Sequence, residues 1–206
     1  MRVRHILAAA PLLLGACGNK QDAEKIYYYE VKGETCEDVK QWISNPEHML
    51  NYPGESRAYA GYATTFIGFE CDFQVIPQNT GSNCCTAKPD NIDTYCKATT
   101  YLPQWDGNDK CRDRFMDRMK EHEQGHASIC CSYAGRLENA LSVLESTACS
   151  AESIIDACIN ATDELDKKID EIFSGIIHEL RSAHSAYDAE TSHGKTQGTV
   201  LDCNCE

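Results

Sequence analysis

His122-Glu123-Gln124-Gly125-His126 forms a His-Glu-x-x-His motif. Histidines four apart project from one face of an α-helix, so both imidazoles can reach one ion. Glu123 lies about 100° further round the axis, where a carboxylate can contact a metal-bound water without being a ligand. That division of labour suits hydrolysis of a peptide bond. The ion polarises the carbonyl and acidifies the water, and the carboxylate carries its proton to the leaving amine. Met119, His122, His126, Ile129 and Tyr133 share one stripe, so two ordinary core histidines are the plain alternative. A packing role would not require the glutamate between them.

Catalytic zinc takes three protein ligands and keeps an open position. The extended metzincin spacing would put Gly at 129 and His at 132, but Ile129 and Ser132 stand there. The third ligand must come from further along the chain, and His178, Glu179, His184, Asp188, Glu190 and His193 are the candidates. Tyr187 or Tyr133 can hydrogen-bond an oxyanion, although helical tyrosines more often serve the core.

The elements that must position these residues can be read from periodicity. Apolar residues from Phe115 to Leu144 recur at threes and fours, predicting one long amphipathic helix, or two joined ones, over about 109–146. A second long helix is predicted from about Ile155 to Tyr187. Upstream, Ile26–Val31 reads as a strand and Thr35, with Asp38 three residues on, as a helix cap. Thr65–Val75 alternates as a half-buried strand and Thr94–Leu102 reads as another. Pro77, Gly81, Asn83 and Pro89 predict a loop over 77–92. The expected fold is α+β: a small antiparallel sheet, then a long two-helix unit carrying the metal motif, stapled by disulfides.

Arg2 and Arg4 precede a short apolar stretch, Ile6–Leu14, which is too short to span a bilayer. Leu14-Gly15-Ala16-Cys17 resembles a bacterial lipobox. The expected organisation is a signal peptide at 1–16, a lipidated tether at 17–25 and a single domain at 26–206. Membrane attachment is expected through lipid on Cys17 only. The expected location is the bacterial cell envelope, at the outer membrane in a Gram-negative cell. Without Cys17, twelve of the 13 cysteines remain, an even number that suits up to six disulfides in an oxidising compartment. The adjacent pairs Cys84-Cys85 and Cys130-Cys131 must point to different partners, and spacing leaves the connectivity open. With 19 Lys+Arg against 32 Asp+Glu, the net charge of −13 excludes a phosphate-backbone binder, so no nucleic-acid partner is expected.

Three stretches carry a family resemblance: Ala60–Gln74; Thr99-Thr100-Tyr101-Leu102-Pro103-Gln104-Trp105 with His122-Glu123-Gln124-Gly125-His126; and Tyr187-Asp188-x-x-Thr191-x-His193-Gly194. Across about 26–198 the chain resembles a bacterial family of predicted secreted zinc-dependent proteases. The resemblance implies His193 as third zinc ligand beside His122 and His126, with Asp188 orienting it. It implies one Zn²⁺ per chain, Glu123 as the catalytic base, and a peptide or protein as substrate. The rival reading is a non-catalytic, zinc-bearing envelope lipoprotein acting as a binding or structural module.

Overall fold

The computed structural model describes residues 2–5, 25–45, 47–48, 50–51, 58–59, 61–79, 83–104, 110–197 and 199–204. Cys17 and most of the expected leader and tether lie outside the described residues. The elements are β1 (Arg2–His5), β2 (Lys25–Glu30), α1 (Cys36–Ser44), β3 (Leu50–Asn51), β4 (Ala58–Tyr59), β5 (Tyr62–Asn79), β6 (Asn83–Gln104), α2 (Lys110–Ser142), β7 (Ser146–Cys149), α3 (Ile154–Glu190) and a 3-10 turn (Lys195–Gln197). The α+β expectation holds, and both long helices are unbroken.

The main sheet has the order β1-β5-β6-β2, with β7 also pairing to β6. It is mixed rather than wholly antiparallel. β2 runs parallel to β6, with Ile26 opposite Thr100 and Tyr29 opposite Pro103. Parallel neighbours need a long connection, and here α1, β3, β4 and β5 intervene in sequence. The loop expected over 77–92 is also corrected, because β6 starts at Asn83 and runs through Pro89. Cys85, Ala87 and Pro89 are buried in alternation, a stripe of small residues that the turn-forming residues masked. Cys84 to Ala87 pair with β7, a strand that the sequence did not announce.

Local chemistry explains the helix starts. The Thr35 hydroxyl accepts from the Asp38 amide and the Asp38 side chain accepts from the Thr35 amide, a reciprocal box that satisfies two exposed donors of α1. At α3, the Ser153 hydroxyl accepts from the Asp156 amide at 3.1 Å.

The chain divides into two compact units. The first comprises 1–9, 67–96 and 132–181; the second comprises 10–66, 97–131 and 182–206. In the first, Leu137, Leu141, Leu165, Ile169 and Phe173 are fully buried, and Phe69 meets Phe173 edge to face at 5.4 Å. Cys84–Cys149 and Cys85–Cys158 staple it, so the adjacent cysteines do take separate partners. In the second, Val31, Val39, Ile43, Leu102, Phe115 and Met119 form the core, with Cys36–Cys203 beside it. Cys96, Cys111, Cys130 and Cys131 are disulfide-bonded as well. Among the described residues Cys71 is the free thiol; burial, with the nearby Asp72 and Asp166, pushes its pKa up to about 11. No helix among the described residues is long and apolar enough to cross a membrane.

Candidate metal centre

The candidate site lies within the second unit. α2 supplies His122, Glu123 and His126. The last turns of α3 supply His184, Tyr187 and Asp188, which share a face because they are three and four residues apart. His122 is 5% exposed, Glu123 4%, His126 0% and His184 2%. This much buried polarity requires partners or a ligand.

Three of these residues converge. His122, His126 and Asp188 each offer a ligand atom within 4.8 Å of the others. The two Nε2 atoms are 3.3 Å apart, and Asp188 Oδ1 lies 3.5 Å from that of His122 and 3.0 Å from that of His126. Two imidazole nitrogens and one carboxylate oxygen are a suitable donor set for a divalent transition ion. His193, expected as third ligand, is not in this group. Its side chain is 59% exposed and its Nδ1 is 3.9 Å from Asp188 Oδ1. Asp188, expected to orient a ligand, itself stands in the converging group, which could hold a metal ion. The carboxylate sits on α3, one turn after His184, whereas His193 lies past the helix end.

The far side of each histidine is also engaged. Gln197 Nε2 donates to the Tyr187 hydroxyl at 2.9 Å, which turns its carbonyl oxygen toward His122. His122 Nδ1 donates to that oxygen at 2.7 Å, leaving the Nε2 lone pair for an ion. His126 Nδ1 is 3.1 Å from His184 Nδ1. Tyr187 stacks on His122 at 5.3 Å and meets His126 edge-on at 4.4 Å. Its hydroxyl also approaches the His122 carbonyl oxygen at 3.4 Å.

The tail motif builds the turn that delivers Gln197. The Thr191 hydroxyl donates to Tyr187 O at 2.8 Å and accepts from Gly194 N at 3.1 Å, closing the end of α3. Ser192, His193 and Gly194 follow with φ of 51°, 56° and 78°, in the left-handed region. A Cβ on Gly194 would lie 2.6 Å from Thr199 Cγ2 and 3.0 Å from the His122 ring. Glycine therefore lets the turn fold back against the histidine.

The electrostatics separate the groups. Burial pushes Glu123 up to about 8, with His122 opposing and Asp188 assisting. Among the described residues its buried Oε2 has no hydrogen-bond partner, nor has His184 Nε2. Burial, and then His126, pulls His184 down to about 4. Burial also lowers His126, while for His122 the bond to Asp188 and the charge of Glu123 outweigh burial and raise it. The hydrogen bonds to His122 and His126 hold Asp188 well below the usual carboxylate range, although burial opposes them. A cleft of about 380 Å³ adjoins the network and is lined by Arg114, Phe115, Arg118, Thr196 and Gln197.

Sequence reasoning named His122, Glu123, His126, His184, Tyr187 and Asp188 as candidates but missed Gln197. Nothing in its spacing marks it, because a turn rather than a helix face brings it in.

A family of bacterial proteins of unknown function, DUF922, matches the chain over residues 26–194. No curated protein and no solved structure matches it. The match takes in both histidines of the motif, Asp188 and the tail motif as far as Gly194, so the chain belongs to this bacterial family of unknown function.

Proposed function

We propose that the chain is a zinc-dependent peptidase of the bacterial envelope. The observation that carries this reading is Glu123, a carboxylate 4% exposed whose Oε2 has no partner among the described residues, next in sequence to one of two histidines whose Nε2 atoms converge with Asp188. A structural metal site has no use for such a group, and a packed core would not retain it.

His122, His126 and Asp188 would hold the ion. When bound, it supplies Lewis-acid polarisation of the scissile carbonyl and acidification of a water. The protein's own residues do the rest. Gln197 holds His122 with Nε2 facing inward. Glu123 accepts the proton of the attacking water on a carboxylate oxygen and delivers it to the leaving amine. Tyr187 is held against both histidine rings and Gln197, which suits it to supporting the site more than to moving toward an oxyanion. The disulfides are consistent with an extracytoplasmic location, and lipid on Cys17 would fix the chain to the membrane.

Glu123→Gln tests this reading. The amide keeps the shape but cannot take the proton, so the variant should retain about one zinc per chain and lose about 10²–10⁴-fold in casein hydrolysis. A wild-type chain that binds zinc yet cleaves no peptide in a diverse pool would leave the non-catalytic zinc module instead.

A further inference from the structure

His184 lies outside the ligand group, yet it is 2% exposed and its Nδ1 lies 3.1 Å from Nδ1 of His126. It stands outside the converging group, because it meets Nδ1 of His126 and not Nε2, the atom that faces Asp188 and His122. Packing does not explain it either. Its buried Nε2 has no hydrogen-bond partner among the described residues, so an apolar side chain of similar size would suit the position better. A buried imidazole kept at that cost points to what its other nitrogen does.

We infer that His184 is a positioning residue for the metal centre: once the ion takes the place of the proton between His126 Nε2 and Asp188, the His184 Nδ1 lone pair holds the proton of His126 on Nδ1 and so directs the His126 Nε2 lone pair at the ion. This rests on the proposed metal site. A neutral imidazole carries one N–H, so fixing it at Nδ1 makes Nε2 the acceptor. Gln197 fixes His122 through the same atom, Nδ1, at 2.7 Å. The two ligands are thus oriented by separate partners, one from the turn after α3 and one from α3 itself. His184 and Asp188 are one helical turn apart. The same stretch of α3 therefore supplies an ion-facing carboxylate and the support for the histidine opposite it.

The test uses the full chain and zinc itself. Affinity is measured against a competing chelator for wild type, His184→Leu and His184→Asn. Asparagine places an acceptor oxygen near the position of Nδ1; leucine fills the space without one. His184→Leu should weaken zinc binding about 10–100-fold, and His184→Asn should restore most of the loss. In zinc-loaded wild type, ¹⁵N chemical shifts should show His184 neutral, protonated at Nε2 and accepting at Nδ1. Equal affinity of a folded His184→Leu and wild type would overturn the inference while leaving the metal site intact. So would a His184 protonated at Nδ1 in the loaded protein, a readout available even if both variants fail to fold. A wild-type chain that binds no zinc through His122 and His126 would overturn the metal reading and this inference together.

Discussion

A Cβ placed on Gly125 would lie 2.1 Å from the Tyr187 hydroxyl oxygen and 2.4 Å from the ring carbon that bears it. The glycine inside the His-Glu-x-Gly-His motif on α2 is therefore the space into which the tyrosine of the Tyr-Asp motif on α3 fits. Helix propensity argues against glycine at this position by about 1 kcal/mol relative to alanine. Close approach of Tyr187 explains why it is used. The tyrosine in turn carries the stack on His122 and accepts from Gln197.

Gly125→Ala should accordingly destabilise the chain by about 1–3 kcal/mol, although alanine is the better helix former. Chemical denaturation measures the effect. The double variant Gly125→Ala/Tyr187→Ala should cost less than the sum of the singles, because the methyl no longer meets the ring. Simple additivity would show that the two residues do not share this contact.

Asp188 and His193 make opposite predictions for the third ligand. Asp188→Asn should empty the site, since it removes the carboxylate that lies 3.0 Å from His126 Nε2. His193→Ala should retain zinc, because that side chain is largely exposed and outside the converging group. Zinc content per chain after exhaustive dialysis decides between them. Full occupancy in Asp188→Asn with loss in His193→Ala would restore the ligand set implied by the family resemblance.

The metal-free protein should show a pH signature of Glu123. Unfolded, this group ionises near its ordinary 4.5; buried in the native chain it keeps its proton up to about 8. Between those values the native state binds the extra proton, so this contribution to stability is full below about pH 4.5 and is lost as the pH rises through about 8. Asp188, held low, contributes in the opposite sense: its share is present above its ordinary range and is lost as pH falls. Glu123→Gln removes only the first effect. The variant should gain stability relative to wild type as pH rises from 4.5 to 8, read from urea midpoints. A difference independent of pH would contradict the burial of an ionisable Glu123.

Among the described cysteines, thiol chemistry should single out Cys71. In the native chain it is buried and its pKa is raised, so it should resist alkylation at neutral pH and react only after denaturation without reductant. The Cys36–Cys203 bridge closes a loop with a sequence separation of 167. Replacing both cysteines by serine should lower stability by about 2–5 kcal/mol, seen as a lower thermal midpoint. A midpoint unchanged by that replacement would show that the bridge does not hold the two ends together.

The sequence by itself determined the histidine pair with its glutamate and the helices that carry them. His122 and His126 are neighbours on one helix, so their convergence depends on a local repeat that four residues already specify. The same holds for the α1 cap at Thr35 and for the long apolar stripes of α2 and α3. The tertiary structure decided everything that required two distant segments to meet. Asp188 rather than His193 joins the histidines because that choice depends on where α3 ends beside α2. Gln197 reaches His122 across 75 positions through a turn that no periodicity encodes. His184 was legible as a candidate ligand, but only packing shows that it faces the far edge of His126. β2 aligns parallel to β6 because strand direction follows from long connections rather than from alternation. Within a helix, spacing fixes neighbours; between elements, the chain's path decides, and each of these contacts depends on that path.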